Sequence, residues 1–289
     1  IEEKKERQFI LTGSSARKLK RTGINLLAGR AVMKHMHPFL AKELGGKFDL
    51  DSALNLGLIP VVLGSREPKE ALSAYLDLYI KEEVKNEGLT RNIGDFTRFL
   101  ETIAFSHGSV INVSNVAREC HVERKTVQGY VGILEDILLA FRLPVFQKKA
   151  KRTLAFHPKF YLFDAGIFSA IRPAGPADLT ADIAGAALEG LVAQHLRAYL
   201  DYRAPGCRLY FWRTYSGSEV DFIVYGKDTF WAIEVKSGRE AKPEDLRGLK
   251  SFAEDFPQAE KFLLYRGKNR LDSGGIKILP CEDFLLTLG

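Results

Sequence analysis

The sequence predicts a multidomain α/β chain, on three observations. Residues 219–224 and 230–236 are short apolar, β-branched and aromatic runs joined by Gly226-Lys227-Asp228, the pattern of a β-hairpin. Leu72, Tyr75, Leu76, Tyr79, Ile80 and Val84, then Ile93, Phe96, Phe99, Leu100 and Ile103, recur at helical spacing. The cluster Arg172-Pro173-Ala174-Gly175-Pro176 breaks the pattern and marks a domain boundary.

From the N-terminus, Gln8 to Leu11 reads as a strand running into Thr12-Gly13-Ser14-Ser15, with a helical segment after it. It looks like the edge of a larger α/β sheet, and the start at Ile1 fits a piece of a longer chain. Residues 38–91 follow as a helical lid or connector, with Pro68 in the first turn of its main helix.

Residues 92–172 form the next unit. One helix carries the 93–103 face, a short second carries Val116 and Ala117, and a third runs from Glu123 to Ile137, with Ser114 and Glu123 near the helix starts. Two apolar strands, 138–146 and 159–164, flank Gln147-Lys148-Lys149-Ala150-Lys151-Arg152. Three helices and a basic hairpin describe a winged helix-turn-helix. In such a unit the third helix enters the DNA major groove with Arg124, Lys125, Thr126 and Gln128, while Val127 and Val131 face the core. Lys148, Lys149, Lys151 and Arg152 are the phosphate contacts. Winged helices also serve as protein-binding modules, which keeps a protein partner open.

Residues 178–187 read as a small-residue linker into the last domain, 178–289. There Asp221 is followed thirteen residues later by Glu234-Val235-Lys236. Side chains alternate along a strand, so Glu234 and Lys236 share a face. Mg²⁺ bridging Asp221 and Glu234 would activate a water, and Lys236 would offset charge on an attacked phosphate. These residues resemble the PD-(D/E)xK nuclease superfamily, with Asp221 as its first carboxylate, Glu234-Val235-Lys236 as its ExK element and Glu189, on a helix near 185–202, as its further acid. The resemblance implies the order α-β-β-β-α-β-β. A lone helical glutamate such as Glu189 is otherwise an ordinary solvent contact. Phe211 reads as core, and Trp212 and Tyr215 as core or interface.

The succession of Leu11-Thr12-Gly13-Ser14-Ser15, Leu27-Ala28-Gly29-Arg30-Ala31, a winged helix and a nuclease-like end resembles a prokaryotic family of AAA+ superfamily ATPases. That resemblance implies a remnant of an AAA+ sheet over residues 1–37. It places Ser14 and Ser15 at the sensor-1 position and Arg30 against nucleotide phosphate, in cis or from a neighbouring subunit of a homo-oligomer. A helix N-cap and a surface ion pair are the plain alternatives. No G-x-x-x-x-G-K-[ST] occurs, so ATP is expected only with a preceding P-loop half.

The 289 residues carry 42 Lys and Arg against 36 Asp and Glu, a net charge of +6 that permits nucleic-acid contact without demanding it. Cys120, Cys207 and Cys281 lack metal-ligand or disulfide spacing. With no eighteen-residue apolar run and a charged N-terminus, the expectation is a cytoplasmic chain without membrane contact. Two functions stand open: a DNA-associated, Mg²⁺-dependent nuclease domain, or a catalytically silent DNA- or protein-binding platform.

Overall fold

A computed structural model of the chain describes residues 10, 12, 32–80, 84, 92–147, 157–175 and 178–289. Ser14, Ser15 and Arg30, the strand expected at Gln8 and the basic residues Lys148, Lys149, Lys151 and Arg152 lie outside the described residues. Within them the chain is mixed α/β, with two sheets flanked by helices.

The first helical group comprises α1 (Ala41–Leu44), α2 (Leu50–Leu56), α3 (Pro60–Leu63) and α4 (Pro68–Ala74), which continues as a π turn over Tyr75–Ile80. Each start has a local cause. Asp49 accepts the Ser52 N–H at 2.7 Å, and Pro60 and Pro68 occupy first-turn positions where a missing N–H costs nothing. Ile59, Val62 and Leu72 pack with Ile167 in a small core.

The next unit orders α5 (Ile93–Ala104), β1 (Ser109–Val110), α6 (Val113–Glu119), α7 (Arg124–Asp136), β2 (Ala140–Leu143) and β3 (Lys159–Leu162), followed by α8 (Ala165–Ile171). The strands form an antiparallel sheet ordered β1-β3-β2. α5 buries Phe96, Phe99, Leu100 and Ile103, and Tyr130 of α7 meets Phe96 edge-on at 5.2 Å. Val127 and Val131 are buried, as their spacing requires. Asn112, not Ser114, caps α6, its side chain accepting the Asn115 N–H at 3.1 Å. β1 is a strand that two residues of sequence are too short to announce.

Asp164 joins this unit to the first. It caps α8 by accepting the Gly166 and Ile167 N–H groups and accepts the Leu58 N–H at 2.8 Å. Gly57 at φ 72° lies so close that a Cβ would sit 1.9 Å from the Asp164 carboxylate, so no other residue fits there.

The C-terminal unit begins with α9 (Thr180–Tyr202), which absorbs most of the segment expected as a linker. Small residues at 184–187 favour helix and close packing rather than a flexible join. Then come β4 (Arg208–Arg213), β5 (Glu219–Tyr225), β6 (Phe230–Lys236), α10 (Arg247–Asp255), β7 (Glu260–Tyr265), β8 (Leu271–Ser273), β9 (Ile276–Pro280) and α11 (Cys281–Thr287). The sheet order is β4-β5-β6-β7-β9-β8, antiparallel from β4 to β6 and parallel from β6 through β7 to β9. Alternation divides the strands between two cores. Phe222, Val224, Ile233 and Leu264 face α9 and share one core with α5 and α7, while Val220, Ile223, Ala232 and Leu263 face Leu249 and Phe252 of α10.

The two sheets are tied together beyond β2. At Pro144 the chain leaves β3 and runs along β4 instead, with Phe146 N–H to Phe211 O at 2.7 Å and Phe211 N–H to Pro144 O at 3.0 Å. Phe146 is thereby driven into the second core among Tyr225, Phe230, Phe252 and Phe256. The strand expected at 138–146 is therefore two short pairings with different partners.

Candidate functional site

The hairpin register places Phe222 opposite Ile233, so Asp221 and Glu234 are the next cross-strand neighbours where β5 and β6 begin to diverge. Asp221 closes that divergence, one carboxylate oxygen accepting the Val235 N–H at 2.9 Å. Glu234 accepts Lys236 Nζ at 2.7 Å through Oε1, while its Oε2 is buried without a hydrogen-bond partner. Above them α10 comes close at Gly248, where a Cβ would stand 2.0 Å from the Glu219 carbonyl oxygen and 3.6 Å from Glu234 Oε2. Glu189 enters from α9. The structure thus brings Asp221, Glu234, Lys236 and Glu189 into one neighbourhood.

Three further residues complete it. Lys159, the first residue of β3, extends its ammonium between the carboxylates, 2.5 Å from Glu219 Oε1, 3.0 Å from Glu189 Oε1 and 3.4 Å from Asp221 Oδ1. Its side chain is 3% exposed and passes the Phe211 ring at 5.6 Å. Tyr161, two residues on and therefore on the same face, donates its hydroxyl to Glu189 Oε1 at 2.5 Å. Arg213 reaches the other oxygen of Glu219 at 3.4 Å. Behind Tyr161, His107 stacks on Phe168 and holds β3 by accepting the Leu162 N–H at 3.1 Å.

Burial and charge act in opposite directions here. Burial works against the Lys159 charge, but Tyr161, Glu189, Asp221 and Glu219 more than reverse it and hold the ammonium well above the usual lysine range. Glu189 is pushed up to about 7, by burial first and by the Asp221 charge second, with Lys159 and the Tyr161 hydroxyl opposing. Glu234 is raised well above the carboxylate range for the same two reasons, against the pull of Lys236. Burial sets His107 at about 3, so its imidazole is neutral.

Mg²⁺ at Asp221 and Glu234 can be tested against this arrangement. The ion requires a near-octahedral set of oxygens at about 2.0–2.1 Å and keeps several waters. Here one Asp221 oxygen is engaged by the Val235 N–H, the other faces an ammonium, and Glu234 holds Lys236. Among the described residues no group of three or more His, Cys, Asp or Glu is placed to hold a metal ion. The carboxylates as arranged fit a lysine ammonium and not Mg²⁺.

Arg124, Lys125 and Gln128 lie exposed at the start of α7, with Thr126 half-buried between them. Phe211 and Trp212 are core and Tyr215 is exposed. Lys159, Tyr161 and Glu219 escaped the sequence reading. Their signals were a lysine opening a four-residue strand that is otherwise apolar, and a glutamate two residues before Asp221, hence on its face.

Architecture and site together describe a mixed α/β chain with a cross-linked ionic cluster between its sheets. Residues 184–284 match a domain of unknown function, DUF4143, and residues 47–178 match a second, DUF8612. An uncharacterized protein of Mycobacterium tuberculosis and one of Mycobacterium bovis are each 26% identical over 290 residues, covering 98% of this chain. The chain spans 64% of the length of each. An uncharacterized protein of Haemophilus influenzae is 24% identical over 177 residues, 55% of this chain and 44% of its own length. No solved structure matches the chain. Among the described residues no helix is long and apolar enough to cross a membrane.

Proposed function

We propose that this chain is the DNA-engaging C-terminal portion of an AAA+ superfamily ATPase, and that its last unit is a PD-(D/E)xK-like fold serving as a non-cleaving platform. The observation that carries the reading is the start of α7, where Arg124, Lys125 and Gln128 are exposed while the sheet behind them packs against the C-terminal unit. The order α5-β1-α6-α7-β2-β3 supports a winged helix that presents α7 to the major groove. Helix, three strands, helix and returning strands support the nuclease-like fold. The helices of residues 41–74 take the position of a lid between motor and effector. ATP and the P-loop belong to the remainder of such a protein, for which the greater length of the mycobacterial relatives leaves room.

A rival reading, a Mg²⁺-dependent nuclease, is favoured by the convergence of Asp221, Glu234, Lys236 and Glu189 and by the free Glu234 Oε2. The ammonium of Lys159 among the same carboxylates weighs against it.

Fluorescence anisotropy with a labelled DNA duplex tests the DNA reading. Each lost phosphate contact should reduce the slope of log affinity against log salt by about 1, so Arg124→Ala/Lys125→Ala should lower it by up to about 2. Wild-type affinity in the double variant would transfer α7 to a protein partner.

A further inference from the structure

We propose that Lys159 is a built-in cation: its ammonium takes, from a strand of the neighbouring unit, the place in the carboxylate cluster that a divalent ion would otherwise hold. The inference rests on the platform reading and names what keeps the platform closed. An ammonium is a point charge with three donors, and three carboxylates, Glu219, Glu189 and Asp221, each from a different turn of chain, converge on it.

The arrangement is built rather than incidental. A lysine this buried persists only when its charge is paired. β3 is held in place on both sides, by β1 and β2, and Phe160, Tyr161 and Leu162 are wholly buried, so Lys159 has a fixed origin from which to reach the cluster. Tyr161 supports it by donating to the Glu189 oxygen that also meets the ammonium, orienting that carboxylate. Opposite them the buried Glu234 Oε2 has no partner, an acceptor left over for a ligand with more valences than an ammonium offers.

The consequence is exchange. With Lys159 in place the cluster is neutralised from within and should decline a free divalent ion. Without it, Glu189, Glu219, Asp221 and Glu234 form an all-oxygen set of high negative charge, suited to a hard divalent cation. The same lysine also pins the β1-β3-β2 sheet to the C-terminal unit, so the state of the cluster and the attachment of α7 to that unit are linked.

The test is titration of Mn²⁺ into the wild-type chain and into Lys159→Met, followed by calorimetry, Mn²⁺ paramagnetic resonance and thermal melting. The expected result is no specific uptake by the wild type, uptake of a single ion by Lys159→Met, and a melting temperature that rises with Mn²⁺ only in the variant. Should Lys159→Met not fold alone, Lys159→Met/Glu219→Gln, with one fewer unpaired carboxylate, is titrated in the same way, and folding induced by Mn²⁺ counts in favour. Equal uptake by wild type and variant overturns the proposal, as does absence of uptake by both variants, folded or not. DNA cleavage plays no part in this readout, so the failure of the platform reading would be seen separately.

Discussion

Lys159 and Lys236 approach the same carboxylates from two regions of the molecule and in different conditions. Lys236 belongs to the hairpin that carries Glu234, has 38% of its side chain exposed and makes one ion pair. Lys159 comes from the other sheet, is 3% exposed and makes three. The local lysine is visible in the motif but is loosely held, whereas the distant one, absent from any motif, is fixed by the strand that bears it. A short sequence signature therefore identifies the acidic half of this cluster and misses the cation that decides its charge.

Removing each lysine should separate the two cases. In metal-free buffer, Lys159→Met leaves buried carboxylates without their counter-charge and should cost about 3–5 kcal/mol in chemical denaturation. Phe146→Ala tests whether the apolar crossing between the same two regions is comparable. It empties a site lined by Tyr225, Phe230, Phe252 and Phe256 and should cost about 3–5 kcal/mol, toward the lower end where rings relax into the gap.

Asp164 provides a third, purely structural buried charge for contrast. Burial raises its carboxyl to about 6 from an ordinary 3.8, while the Leu58, Ile167 and Gly166 N–H groups oppose the rise. The folded chain thus holds this proton at pH values where the unfolded chain has lost it. Stability from this group is full below its unfolded value and is lost as pH rises through about 6, a fall on the order of 3 kcal/mol between pH 4 and 7. Glu189 acts in the same direction, so the readout is the difference between wild type and Asp164→Asn, which should show the shallower decline in denaturation at these two pH values. Lys236→Ala should have the smallest effect, within about 1 kcal/mol, because an exposed pair is screened by solvent. A loss as large as that of Lys159→Met would erase the distinction drawn between them.

Much of the local structure was legible in the sequence because it is set by local causes. Pro68 starts a helix, Val127 and Val131 face inward, and the runs about Gly226-Lys227-Asp228 pair as a hairpin. What was not legible depends on contacts across long separations. Nothing near Pro144 announces that the chain exchanges β3 for β4 there. The small residues at 184–187 look like a linker until α9 is seen packed on both sheets. Within the cluster, Asp221, Glu234 and Lys236 are neighbours in a hairpin, but Lys159 lies 62 residues from Asp221 and 30 from Glu189, and only the fold brings them together.

The most direct test of the platform reading is one sample in which binding and cutting are read together. Wild-type chain and Asp221→Ala/Glu234→Ala are incubated with single-stranded, duplex and branched DNA in Mg²⁺ or Mn²⁺, anisotropy is followed, and the same DNA is then resolved on a gel. The account predicts salt-sensitive binding by both proteins, with every strand intact. Metal-dependent cleavage by the wild type that vanishes in the double variant would contradict it and establish a working nuclease site.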